Sequence, residues 1–176
     1  MEAMETAREL RNLSTLQVEE ILEVRAKQQT VVAELGQQAL AGVNSTELIE
    51  EAIVQIAQIL GVEFCQALEL LPDENLCLVR AGTGWKEGII GEATVDAEPG
   101  SQAGYTLRAK ASIIIPDLAK EERFTGMPLL HDHGVVSGIA TVIPGRKWPF
   151  GLLGAYTAIK REFSQNDAHF LQAVAN

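Results

Sequence analysis

Few side chains in this sequence could do chemistry. Two cysteines, Cys65 and Cys77, and three histidines, His131, His133 and His169, are its thiols and imidazoles. The run His131-Asp132-His133 invites a metal reading, but a zinc site needs three or four converging ligands. Helical spacing turns the two histidines different ways, and His169 is distant in sequence, so no metal site is expected. A reactive thiol needs a neighbouring cation or base to lower its pKa. Both cysteines sit inside apolar runs with no His or Lys beside them, and they read as buried thiols. The glycine-rich stretch Gly82-Thr83-Gly84-Trp85-Lys86-Glu87-Gly88 matches the first and third places of the dinucleotide fingerprint. Its sixth place is Glu87 and no helix pattern follows, so phosphate cradling is rejected. No Ser/His/Asp spacing or carboxylate pair emerges, and no catalytic residue is expected. Trp85, Tyr105, Phe124 and Tyr156 could line a pocket, or equally serve as core.

Composition narrows the partners. The chain has 176 residues, 47% of them apolar, which is enough for one domain with a real core plus an appendage. Its net charge of −10 argues against nucleic acid and against an anionic membrane surface. No run approaches the ~18 apolar residues of a membrane span. Met1 to Arg11 has mixed charge and no apolar stretch of a secretory signal. Two unpaired cysteines fit a cytoplasmic protein.

The elements follow from periodicity. Residues 14–42 contain no Pro and are rich in helix formers, so one long helix is expected. Its seam Ile21, Val24, Gln28, Val31 and Leu35 steps by three and four residues, and runs back through Gln17 and Ser14 to Leu10. That spacing is coiled-coil-like, with Gln28 as a polar register-setter. Leu22, Val32 and Leu40 lie off the seam, which predicts one stripe for the domain and one for a partner. Residues 1–33 read as a linker and signalling helix, and 34–176 as the domain. Asn44 with Glu47 is a capping-box-like start for a second helix, which Gly61 stops. Phe64–Leu71 and Leu76–Ala81 read as a hairpin around the turn Pro72-Asp73-Glu74-Asn75. Residues 82–91 are irregular. Ser101 caps a short helix to Lys110, and Ile113–Ile115 is a strand ended by Pro116.

Two late strands, from Val135 and from Phe150, are joined by the short turn Pro144 to Pro149 and must pair antiparallel. Neither has a charged face, so both faces are covered, and a three-layer sandwich follows. Gly138, Ala140, Gly154 and Ala155 leave room for a helix or a ligand to approach closely. Ser164 with Asp167 predicts a capped last helix carrying Phe170, Leu171 and Val174. That helix meets Asn176 without a stop signal and is expected to continue in a longer parent protein.

The order of pieces after Ile113 resembles a known family: Ile-Ile-Ile-Pro-Asp-Leu, then Arg123-Phe124, then Leu-Leu-His-Asp-His-Gly from Leu129, the strand to Ile143, Pro-Phe-Gly-Leu-Leu-Gly from Pro149, and Arg-Glu-Phe-Ser from Arg161. It is similar to the second half of a GAF domain, a small-molecule-sensing module. Gly-Trp-Lys-Glu-Gly, Ser-Gln-Ala-Gly-Tyr-Thr-Leu and Leu-Leu-His-Asp-His-Gly-Val-Val-Ser-Gly are similar to GAF domains of multi-domain cyanobacterial sensor histidine kinases. The resemblance implies an α/β (α+β) fold: a central six-stranded antiparallel sheet with helices on both faces. The first and last helices would share one face as a dimer and signalling layer, with a ligand pocket on the other. The implied role is ligand sensing and homodimerisation within a histidine kinase or nucleotide cyclase, without chemistry of its own. A stand-alone enzyme such as a free methionine sulfoxide reductase, and a ligand-free structural dimerisation domain, are the alternatives. The ligand is not identified by the resemblance. Bilin-binding members attach their chromophore through a Cys near the pocket helix, and the corresponding Met127–Gly134 has none, which argues against covalent bilin. Asp117 and Phe124 lie in a stretch related to the cyclic-nucleotide-binding members, whose full residue set is not matched. The candidate ligand-binding residues are Trp85, Tyr105, Asp117, Phe124, His131, His133, Ser137 and Tyr156.

Overall fold

The computed structural model describes residues 2–71, 73–109 and 111–176, and over 2–14 the helix backbone alone. Pro72 of the expected turn, Lys110 at the expected helix end, and the side chains of Leu10 and Ser14 lie outside the described residues. The chain forms α1 (Glu2–Leu40), α2 (Ser45–Leu60), the hairpin β1 (Phe64–Leu71) and β2 (Leu76–Thr83), and β3 (Thr94–Asp96). There follow α3 (Gln102–Arg108), β4 (Ile113–Ile115), α4 (Pro128–Asp132), β5 (Ser137–Ile143), β6 (Gly151–Thr157) and α5 (Gln165–Ala175). The strands make one six-stranded sheet in the order β3-β2-β1-β6-β5-β4. Every pairing is antiparallel.

Local chemistry sets the ends. Asn44 Oδ1 accepts from Thr46 N–H at 2.8 Å, a short local turn rather than a reciprocal box with Glu47. Gly61 closes α2 in the left-handed conformation, φ 60°, and its N–H bonds Ala57 O. The reciprocal capping box forms at Ser164, whose Oγ accepts from Asp167 N–H while Asp167 Oδ2 accepts from Ser164 N–H. The short edge strand β3 lies in the stretch that sequence periodicity leaves unassigned. It is held by pairing Leu76–Leu78 with Asp96–Thr94.

The sheet divides two cores. On one face Cys65, Ala67, Ala81, Ile139, Leu153 and Ala155 pack under α1, α2 and α5. On the other Leu68, Cys77, Val79, Leu152 and Tyr156 pack under α3, α4 and the segment carrying Phe124 and Met127. Water reaches neither face of β6, where all seven residues are buried.

Helix α1 departs from the two-stripe expectation. It is divided along its length instead. From Thr15 to Lys27 every side chain is exposed. Ile21 is 53% and Val24 38% exposed. Gln28, Val31 and Leu35 of the same seam are buried, with Val31 and Leu35 in the core beneath α2 and α5. Off the seam, Val32 packs on that core, while Leu22 and Leu40 are exposed. Heptad spacing marks an apolar face but says nothing about which partner covers it, and here the domain itself covers the second half. The helix runs unbroken through residues 33 and 34, and its docking onto the domain begins at Gln28.

This division predicts unequal costs. Leu35→Ala should destabilise the domain by about 2–4 kcal/mol, whereas Leu40→Ala, at a side chain 91% exposed, should stay within about 0.5 kcal/mol. Denaturant unfolding of the two variants measures this, and equal effects would show that α1 docks differently.

Candidate functional site

The face of the sheet away from α1 holds a group of buried polar and aromatic side chains. Its centre is Tyr156 on β6, 1% exposed. The Tyr156 ring lies flat along the sheet over two glycines. A Cβ at Gly138, its cross-strand partner, would come within 2.3 Å of the ring, and one at Gly154 within 2.4 Å of the hydroxyl. The small residues therefore make room for a side chain of the protein itself, where the sequence pattern suggested a helix or a ligand.

Two glutamines flank the Tyr156 hydroxyl. Gln102, the first residue of α3, donates from Nε2 to it at 3.1 Å. Gln66 on β1 is paired across from Gly154, beneath the hydroxyl. Its Nε2 donates to Met127 Sδ at 3.8 Å, a weak acceptor. Both glutamines are fully buried, and Gln66 Oε1 and Gln102 Oε1 have no hydrogen-bond partner among the described residues. A buried unpaired acceptor costs about 1–3 kcal/mol. Met127 Sδ can only accept, so it orients Gln66 with Nε2 toward the sulfur and leaves Oε1 as the unanswered group. Neither glutamine is singled out by spacing. The one available signal is Gln66 itself, a polar residue in the middle of an apolar strand. Burial pushes the Tyr156 phenol well above its ordinary range, so it remains a neutral hydroxyl.

An aromatic wall closes one side. Trp85 stacks at 5.0 Å from Phe64 and edge-on at 5.0 Å from His133, and lies 6.4 Å from Tyr156. Trp85 Nε1–H donates to Cys65 O at 2.9 Å, which fixes the indole. His133 Nδ1 lies 2.8 Å from Leu129 O, and its Nε2 accepts from Lys86 N–H at 3.1 Å. These two contacts hold the ring from both nitrogens. The irregular glycine-rich stretch is thereby latched to the end of α4.

The other expected site residues lie elsewhere. Tyr105 and Phe124 pair at 5.2 Å within the roof, where the Arg123 guanidinium sits over both rings. Arg123 also bonds Glu121 and Ile114 O, tying the roof to β4. Asp117 caps the single helical turn Leu118–Lys120 through Ala119 N–H. His131 is exposed and packs beside Gly126, apart from His133. Among the described residues no three His, Cys, Asp or Glu side chains gather as a metal site would need. Ser137 is on the opposite face: its hydroxyl donates to Ile159 O and accepts from Arg161 N–H, because β5 alternation turns it with Ile139 toward α5. Trp85, His133 and Tyr156 are thus the three expected residues that meet.

Both thiols are buried. Burial raises Cys77 from an ordinary 9.0 to about 11 and pushes Cys65 further the same way. Neither is available as a thiolate near neutral pH.

Two outcomes follow. Gln66→Leu removes an orphan oxygen at the cost of one weak bond to sulfur. It should raise unfolding stability by about 1 kcal/mol, and a comparable loss in denaturant unfolding would mean the amide is satisfied after all. The second concerns alkaline pH. The unfolded chain ionises its thiols from pH 9.0 while folded Cys77 resists to about 11, so the unfolded state is favoured as pH rises through that window. The unfolding midpoint should fall there, and less steeply in Cys77→Ala. Parallel pH profiles for the two proteins would contradict the assignment.

No curated protein matches the sequence. Solved structures match the fold. The GAF domain of an Acinetobacter phosphoenolpyruvate-protein phosphotransferase superposes with a TM-score of 0.70 at 17% identity, over 84% of this chain and 87% of that one. The phycocyanobilin-bound GAF domain of a cyanobacterial phytochrome does so at 0.67 and 15%, over 84% and 89%. Free methionine-R-sulfoxide reductase from Neisseria meningitidis, in complex with its substrate, gives 0.69 and 10%, over 86% and 83%. These three differ in role, and at such identities the likeness is one of fold. The family model of the GAF domain matches residues 44–176, and the chain belongs to the GAF domain family.

Proposed function

We propose that this chain is a non-catalytic sensory domain that holds a small molecule between the sheet and the roof of α3 and α4. The observation that carries this reading is the buried group Gln66–Tyr156–Gln102 with its two unanswered carbonyl oxygens. A domain whose sole role was structural would gain by replacing those glutamines with apolar side chains. In the state described here the Tyr156 ring occupies the glycine bed, which leaves its hydroxyl beside both glutamines. The state of the two thiols supports binding over catalysis, and speaks against the sulfoxide-reductase alternative. A covalent bilin finds no cysteine in residues 127–134.

The same strand serves both faces. β1 presents Gln66 to the site, and Cys65 and Ala67 to the core that contains Val31 and Leu35 of α1. A shift of β1 on ligand binding would therefore be felt by α1. We propose that α1 passes it on, and that two copies pair through the exposed stretch containing Leu16, Ile21 and Val24. This suits a cytoplasmic sensor of histidine-kinase type, as the resemblance implies, with neighbouring domains as partners.

Mass spectrometry of natively purified protein tests the sensory reading: a co-purified small molecule is expected, and its loss in Gln102→Met. Preparations that carry only the bare polypeptide would count against it. Light scattering tests the pairing. Ile21→Glu with Val24→Glu should give folded monomers, and an unmodified chain that is monomeric at high concentration would exclude this dimer.

A further inference from the structure

The chemistry of the site constrains what it can hold. Its orphan groups are both acceptors, Gln66 Oε1 and Gln102 Oε1, and both side chains are wholly buried beside a neutral phenol. Among the described residues no basic side chain bonds either oxygen. Arg123 is engaged by Glu121 and Ile114 O, Lys86 Nζ by Asp132 O, and Arg108 by Gly104 O. A phosphate or carboxylate would enter this region without a counter-charge, and a cation would find no carboxylate inside it. What the oxygens lack is hydrogen-bond donors.

An approach exists on one side. A surface cleft of about 380 Å³ is lined by Asp96, Glu98, Ser101, Thr125, Met127 and Pro128. Met127 is shared: it lines this cleft, and its sulfur is the acceptor for Gln66 Nε2. A methionine has three rotatable side-chain bonds and a thioether is easily given up as an acceptor. Its movement would join the cleft to the buried glutamines. The rim is acidic, which disfavours anions again.

We infer that the site takes an uncharged small molecule with at least two N–H donors, such as a cyclic urea or a pyrimidinedione, admitted past Met127. Its N–H groups bond Gln66 Oε1 and Gln102 Oε1, and the Tyr156 hydroxyl answers a carbonyl of the ligand. The inference rests on the reading of this region as a ligand site and adds the class of ligand.

Saturation-transfer NMR on the whole chain tests it, with uracil and ethyleneurea as probes, their N,N′-dimethyl analogues as donor-free controls, and benzoate and inorganic phosphate as anions. The N–H probes should bind and the others should not. Gln66→Leu and Gln102→Met should each weaken binding by about tenfold or more, and either folded variant suffices. Met127→Ala, which opens the approach and removes only the weak sulfur acceptor of Gln66 Nε2, should speed association. Dimethyl analogues or anions that bind as well as the N–H probes, with the same dependence on Gln66, would overturn the donor class and leave the ligand-site reading standing. Failure of every probe would overturn the donor class too. A buried water would then be what satisfies the oxygens, and native mass spectrometry decides the ligand-site reading separately.

Discussion

Water reaches neither side of the middle of this sheet, and the rest of the structure follows from that. β1 and β6, the first and last strands of the domain, pair at its centre, so each needs a layer above and a layer below. The long helices supply one layer because their apolar faces are wide. The other layer is made of short pieces, α3, α4 and the loops between, which a compact core can hold only with local ties such as Arg123 on Ile114 O and Lys86 on His133. A polar residue on such a strand has no solvent to turn to. Gln66 must be answered from inside, and it is answered only in part.

The second layer shows how a domain can be well packed and still hold an unsettled place. Tyr156 lies on glycines because any side chain at Gly138 or Gly154 would lift it off the sheet. Its hydroxyl then falls between two amides whose donors are used and whose acceptors are not. Apolar packing and hydrogen bonding have opposite preferences here. The first is met by the closed arrangement, and the second is met only with something added.

Much of the fold was legible in the residues. Gly61 as a helix stop, Ser101 and Ser164 as caps, and the hairpin before Leu76 follow from local stereochemistry, which a single sequence carries in full. The uncharged faces of β5 and β6 announced the two covering layers. β3 was not legible, since three residues pairing at an edge leave no periodicity of their own. The site was legible only in part. Trp85, His133 and Tyr156 meet there, while the candidate Ser137 faces α5, because a strand pattern does not say which face is which. Gln66 and Gln102 were missed, because buried amides acquire meaning only from what surrounds them. The seam of α1 was read correctly as apolar, yet Val31 and Leu35 turned out to belong to the domain. Spacing describes a face and not its occupant.

The unequal anchoring of α1 makes it a lever. Its docked end begins at Gln28, and the helix continues without interruption back to Glu2. At 1.5 Å per residue that stretch of helix is about 39 Å long, so a tilt of about 5° at the docked end moves its tip by about 3 Å. Displacements in the core of a fraction of a side chain's width would thus reach the far end magnified. A stiff helix of that length turns a small rearrangement around Leu35 into a displacement of several ångströms at its far end.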